Sequence, residues 1–188
     1  KNWGLMREIF ASPLPRNHII FGIGLSGMTK AFIQSIINML LGILIGAQFF
    51  FGYSATKTIL AVLGILLFVA VFSLGFLFLS ATIAISLESP EGMQGIMTLL
   101  TMPIFFASNA LYPIEAFPPA LQALSMVNPL TYLVTGIRYF AIGDSFQAIG
   151  VHYTYTPLQI GLAFLFLIAF AAVMFGMAWW RFRKAVVT

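Results

Sequence analysis

The 188-residue sequence contains no cysteine, two histidines, five acidic residues and nine basic ones. Without cysteine there can be no disulfide scaffold, thiol redox centre or thiolate metal site. Charged residues make up 7% of the chain, against about 25% in an ordinary soluble domain. A water-facing surface cannot be assembled from so few. Hydrophobic residues make up 61%, whereas disordered chains are poor in apolar residues and rich in charge. An integral membrane protein is the class that remains. The formal charge of +4 would suggest nucleic acid if the basic residues shared one soluble face. Their placement is topological instead, as shown below, and no nucleic-acid partner is expected.

A hydrocarbon core about 30 Å thick needs roughly 20 predominantly apolar helical residues. Four charge-free intervals meet that need: Ala31–Thr56, Thr58–Leu87, Gly92–Ile114 and the apolar part of Ser145–Trp180. They predict membrane helices over 17–51, 58–87, 92–112 and 158–180. The stretch ILAVLGILLFVAVFSLGFLFL is apolar at successive positions, which argues against the alternating polarity of barrel strands. Ala116–Ile137 is long enough to cross but contains Pro118, Pro119 and Pro129. Prolines interrupt regular helix, so 113–140 reads as short re-entrant helices on the outer side. Backbone of that kind is tolerated at membrane depth where protein or a water-filled cavity covers it.

Lys1, Arg7, Arg16 and Lys30 precede the first crossing, and Arg181, Arg183 and Lys184 follow the last, whereas Lys57 and Arg138 lie at the opposite ends. The excess of basic residues marks the cytoplasmic side, so both termini of this segment are expected inside. Trp3, Trp179 and Trp180 fall at that inner end. Tyr53, Tyr112, Tyr132, Tyr139, Tyr153 and Tyr155 fall at the outer end, giving each interface its aromatic anchors.

At the N-terminus, residues 1–16 carry Leu5, Met6, Ile9 and Phe10 at spacings of three and four. These form the apolar stripe of a short amphipathic helix, with Arg7 and Glu8 off the stripe. It can lie in the headgroups, or dock in a groove of a cytoplasmic partner. Gly22, Gly24 and Gly27 predict a bend before the first crossing, and Lys30 can snorkel to the inner interface. Gly22–Gly27 spells G-x-G-x-x-G without the strand that gives this motif its phosphate-binding context. The Gly-Leu-Ser26-Gly step resembles the serine motif of rhomboid intramembrane proteases. Its bases would have to be His18 or His152, neither inside a crossing. Gly42 and Gly46 form a GxxxG step suited to close helix packing. In the third crossing Pro103 sits mid-span, followed by Ser108 and Asn109, which can bond to freed carbonyls or to a neighbouring helix.

Three stretches carry a family resemblance. WGLMREIFASPLPR followed by an apolar helix, ESPEGMQGIMTLLTMPIFFASNALYPIEAFPP, and NPLTYLVTGIRY together resemble the membrane subunit of ABC-2 type exporters, in particular the daunorubicin-resistance-like permeases. Asn109 stands where the family's S-G-A step would have glycine. The resemblance implies an all-α integral membrane fold in a single domain over 1–188. Its four transmembrane helices correspond to helices three to six of a six-helix fold, with an N-terminal cytoplasmic coupling helix and an outer re-entrant pair. The chain would then be a fragment lacking two upstream helices, or a truncated gene product, in the plasma membrane.

By the same resemblance, two permease copies, as a homodimer or heterodimer, enclose a path through the membrane lipids. A separate ABC ATPase supplies the energy, with ATP and Mg bound by that partner and no cofactor bound directly. The chain has no G-x-x-x-x-G-K-[ST] of its own; it is a transport subunit, not an enzyme. Leu5, Met6, Arg7, Glu8, Ile9 and Phe10 would form the ATPase contact. Pro103, Ser108, Asn109, Glu115, Pro118, Pro119, Asn128, Pro129, Tyr132 and Arg138 would form the outer gate. Apart from the resemblance, the opposite charges of Glu115 and Arg138, both beside these prolines, suggest an ion pair, with ordinary solvent exposure of both as the alternative. The cargo would be amphipathic small molecules, lipids or glycans moved outward. The alternatives are a non-ABC channel, a secondary-transporter fragment, or the rhomboid-like protease. Secondary transporters place ionisable or unwound sites near the midplane, and the predicted crossings contain no carboxylate.

Overall fold

The computed structural model of the chain describes residues 16–87, 89–148 and 150–185. The amphipathic stretch bearing Leu5, Met6, Arg7, Glu8, Ile9 and Phe10 lies outside them. Among the described residues six α-helices run in the order α1 (Arg16–Leu44), α2 (Ala55–Ser86), α3 (Pro90–Phe106), α4 (Pro119–Val127), α5 (Pro129–Ala141) and α6 (Pro157–Ala185). A turn of 3-10 helix at Ile114–Ala116 precedes α4, and a hairpin of β1 (Ser145–Ala148) and β2 (Val151–Thr154) joins α5 to α6.

The chain marks these helix starts with proline and caps. Proline fits the first turn, where its missing N–H costs nothing, and it opens α3, α4, α5 and α6. Ser54 and Ser89 accept bonds from the backbone N–H of Lys57 and Gly92, at 3.3 and 3.0 Å. Thr156 and Gln159 cap each other reciprocally at the head of α6, at 2.9 and 3.3 Å, which is a capping box.

Among the described residues three helices are long and apolar enough to cross a membrane: Gly24–Leu44 within α1, Ala55–Ser86, and Pro157–Arg181 within α6. The fourth expected crossing, 92–112, is shorter than predicted. With 17 residues, α3 spans about 25 Å at ~1.5 Å per residue. It ends at Phe106, so Pro103 lies in its last turn and not in mid-span. The first crossing also stops early, at Leu44 rather than 51. Gly46 adopts φ +97°, its N–H donates to Ile43 O (3.0 Å), and the Ala47 N–H donates to Gly42 O (2.9 Å). That pattern is a Schellman C-cap, and it ends the helix although the sequence stays apolar to Phe51. Gly46 is therefore a helix terminator, and Gly42 lies under the ring of Phe49; the pair is not a helix-packing step. At the other end the glycines do not break the helix, since α1 runs continuously through Gly22, Gly24 and Gly27.

The centre of the molecule is α2 packed on α6 and α5. Ile65, Phe68, Val69, Leu133, Ala141, Ile160, Ala163 and Leu167 form one buried cluster. Aromatic pairs run along the α2–α6 seam, with ring centroids 5.1 Å apart for Phe68–Phe164, 5.7 Å for Phe76–Phe170 and 5.1 Å for Phe78–Phe175. Helices in lipid associate by close packing of small residues against large ones. Gly136 of α5 accordingly lies against the Phe68 ring, and Gly75 of α2 against Phe170.

Phe68 is 3% exposed and held between Phe140 and Phe164, so it has no room to retreat. Gly136→Ala should therefore destabilise the solubilised protein by about 1–3 kcal/mol through overpacking. Gly161→Ala, which meets nothing within 4 Å, should be neutral or stabilising by up to about 1 kcal/mol. Thermal unfolding in detergent compares the two; equal shifts would contradict this packing.

Candidate functional site

The expected gate residues divide into two groups. Glu115, Pro118 and Pro119 are exposed, as is Pro103. Ser108, Asn109, Asn128, Pro129, Tyr132 and Arg138 come together where the end of α3 meets the α4–α5 elbow. The last carbonyls of a helix have no partner within it, and α3 obtains its partners from side chains. Ser108 Oγ donates to Phe105 O at 2.7 Å, and Asn128 Nδ2 donates to Ile104 O at 2.6 Å. Asn128 serves twice, since its Oδ1 accepts from the Leu130 N–H at 3.0 Å and so caps α5. Thus Ser108 serves a helix-end carbonyl and Asn109 reaches a neighbouring helix, its Nδ2 donating to Thr135 Oγ1 at 3.1 Å.

Arg138 departs from expectation. Among the described residues it forms no ion pair with Glu115. Its Nη2 donates to Ala110 O at 3.3 Å, and its guanidinium lies over the Tyr153 ring at 5.5 Å. A carbonyl and an aromatic face stabilise the cation without the cost of desolvating a second charge. Three side-chain bonds thus join α5 and its cap to the end of α3: Asn128 to Ile104, Asn109 to Thr135, and Arg138 to Ala110. Ser125 and Thr131 add a buried hydroxyl pair at 3.2 Å. Tyr132 donates to Met126 O at 2.5 Å and stacks on Phe166 of α6, with centroids 4.1 Å apart.

The sequence reading missed Thr131 and Thr135. Their signal was present: Asn128, Thr131, Thr135 and Arg138 recur at spacings of three and four, a polar stripe on one face of α5. It also missed the hairpin, whose register sets Phe146 opposite Tyr153, the two rings stacked at 5.0 Å. The alternation of Tyr153 and Tyr155 in VHYTYT is its period-two trace. Among the described residues, Asn109 Oδ1, Arg138 Nη1 and the Tyr155 hydroxyl are buried without a hydrogen-bond partner of regular geometry. Burial raises the Tyr155 phenol above its ordinary pKa of 10.0, while the nearby Arg138 acts in the opposite direction.

A second feature lies along α3, an open and largely apolar groove lined by Glu91, Gln94, Gly95, Thr98, Leu99, Met102 and Pro103. A third is a cavity of about 200 Å³ between the head of α2 and the end of α5, lined by Tyr53, Lys57, Leu60, Ala61, Tyr139, Phe140 and Asp144. The serine-protease geometry is not formed by Ser26 and His152. Ser26 adjoins Gly27, which meets Leu77, and the next residue, Phe78, packs on Phe175 of α6. His152 belongs to the hairpin before Pro157, so the two are separated by roughly 27 Å of α6 at ~1.5 Å per residue.

Long apolar helices with polar stitching confined to one end define a multi-helix membrane domain. Residues 2–142 match the ABC-2 type transporter family, and the chain belongs to it. It is 26% identical over 178 residues to a protein named as a transport permease, ycf38, of Cyanophora paradoxa, an alignment covering 93% of this chain and 59% of that protein. To the inner membrane transport permease YadH of Escherichia coli (strain K12) it is 26% identical over 140 residues, covering 73% and 50%. To the daunorubicin resistance ABC transporter permease protein DrrB1 of Streptomyces coeruleorubidus it is 27% identical over 94 residues, covering 50% and 33%. The chain thus spans between a third and three-fifths of the length of these relatives. No solved structure gives a significant match.

Asn128 supplies the test of the stitched end. In Asn128→Asp the capping oxygen remains, but the donor to Ile104 O is lost and a carboxylate faces a carbonyl. A loss of about 1–3 kcal/mol is expected for the unpaired buried group, read as a lower unfolding temperature than wild type. An unchanged midpoint would show that this bond does not hold α3 to α5.

Proposed function

We propose that the protein is the membrane permease subunit of an ATP-driven ABC exporter, working with a separate ABC ATPase and a second permease copy. Membership of the ABC-2 family is the observation that carries this reading. On it, residues 1–16 form the coupling helix, with Leu5, Met6, Arg7, Glu8, Ile9 and Phe10 against the ATPase, which binds ATP and Mg. On this reading the protein lies in the plasma membrane with both termini of this segment in the cytoplasm, an orientation that the excess of basic residues favours. α3 completes a fourth crossing with the chain that follows it, and α4 and α5 dip into the outer leaflet as a re-entrant pair.

ATPase closure would push the coupling helix, and α2 and α6, zipped by aromatic pairs, would carry the motion as a rigid unit. The gate residues Pro103, Ser108, Asn109, Glu115, Pro118, Pro119, Asn128, Pro129, Tyr132 and Arg138 border the outer exit. The groove of Glu91, Gln94 and Thr98 on α3 is suited to line the path against the second copy. A drug-resistance permease among the relatives, together with apolar walls, favours amphipathic small molecules or lipids as cargo; glycans, rich in hydroxyls, fit such walls less well.

The test is reconstitution with the cognate ATPase in proteoliposomes, following ATP-dependent movement of an amphipathic dye. Glu8→Arg and Phe10→Ala should each lower transport about tenfold or more, a change of about 1.4 kcal/mol in coupling, while membrane insertion is unchanged. Variants that still co-purify with the ATPase and transport at the full rate would refute the assigned contact. ATP-independent transport by the wild type would refute the reading as a whole.

A further inference from the structure

The cavity between α2 and α5 contains two opposite charges that do not neutralise each other. Lys57 and Asp144 both line it, yet among the described residues they form no ion pair. Lys57 Nζ instead lies 4.1 Å from the centroid of the Tyr53 ring. The positive end of the cavity is reinforced by the N-terminus of α2, which begins at Ala55, and the negative end by the C-terminus of α5, which ends at Ala141. Helix ends carry partial charges of those signs. Tyr53 and Tyr139 supply two aromatic faces of the kind that attract ammonium groups. The floor is the buried Ala61, whereas Leu60 is 61% exposed, so the cavity opens sideways along an apolar helix face toward lipid.

Size and charge together select the occupant. Sites for drug-sized molecules run to about 300–1,000 Å³, so about 200 Å³ accommodates a headgroup and not a whole amphiphile. A net-neutral site with separated charges disfavours a purely anionic headgroup, which Asp144 would repel. We propose that this cavity binds the headgroup of a zwitterionic phospholipid, its phosphate on Lys57 and its ammonium on Asp144 beside the tyrosine rings, with its chains following Leu60 down α2. The site depends on the fold alone; that it meets the outer leaflet rests on the sidedness proposed above.

Native mass spectrometry of the full-length protein, titrated with dioleoyl-phosphatidylethanolamine or dioleoyl-phosphatidylglycerol, tests the site. Wild type should prefer the zwitterion by about fivefold, the effect of one charge at a membrane surface. Asp144→Asn should abolish or reverse that preference, because Lys57 then stands alone. Lys57→Gln should weaken binding of both lipids, and Lys184→Gln, at the far end of α6, should change nothing. Equal binding of the two lipids by wild type, or an undiminished preference in a folded Asp144→Asn variant, would overturn the proposal. Competition by soluble glycerophosphoethanolamine as strong as that of the lipid would overturn the role given to the chains. Sidedness is read separately: Asp144→Cys, in a background without other cysteines, should react with an impermeant maleimide on intact cells. Labelling after permeabilisation alone would overturn the outer-leaflet assignment and leave the headgroup result standing.

Discussion

Hydrocarbon offers no hydrogen bonds, so a helix that stops short of the bilayer's ~30 Å must have its last carbonyls bonded by protein. On the proposed placement α3 is such a helix, and the structure around its C-terminal end is arranged around that requirement. Ile104 O is bonded by Asn128, Phe105 O by Ser108 and Ala110 O by Arg138. Two of these donors belong to α5 or its cap, so the end of α3 cannot move without α5. In turn α5 is fixed to the centre by Gly136 on Phe68 and by Tyr132 on Phe166. One unsatisfied helix end thereby ties the elbow to the core.

The attachment is uneven along α3. Its C-terminal end is stitched by polar bonds, whereas among the described residues its N-terminal half is linked to α2 by the weak contact of Ser80 Oγ with Met97 Sδ at 3.8 Å. Glu91, Gln94 and Thr98 face an open groove there. By contrast, α2 and α6 are joined along their length by interdigitated rings. On the proposed function, that distribution assigns the parts of the machine: a stiff pair that transmits force, and a helix anchored at the outer end whose inner half is free to repack.

Much of this was legible in the sequence, because membrane solvation leaves coarse marks. Charge-free runs located α1, α2 and α6, and the prolines at 119 and 129 marked short helices. What escaped depended on a single residue's conformation or on contacts between distant segments. Apolar residues continue past Leu44 to Phe51, and only the left-handed backbone at Gly46 shows that the helix has ended. The coupling of Glu115 to Arg138 was inferred from charge alone, but an arginine in a low-dielectric setting can be satisfied by a carbonyl and a ring. Thr131 and Thr135 are inconspicuous one at a time, and their common face matters only once α3 ends beside it.

The scarcity of carboxylates has a structural counterpart at both membrane ends. With five acidic residues for nine basic ones, few cations can find an anion, and aromatic faces take that place. Lys57 lies over Tyr53, Arg138 over Tyr153, and both Arg181 and Lys184 over Trp180. A ring holds a cation with little desolvation and no second buried charge, which suits an interface where water is partial. Among the described residues the same substitution leaves Asp144 without a basic partner beside an aromatic cavity. A carboxylate retained among so few, and not used to neutralise the adjacent lysine, is available to a cation from outside the chain. Tyrosine occupancy of the lysine is thus what leaves the opposite charge open to a ligand.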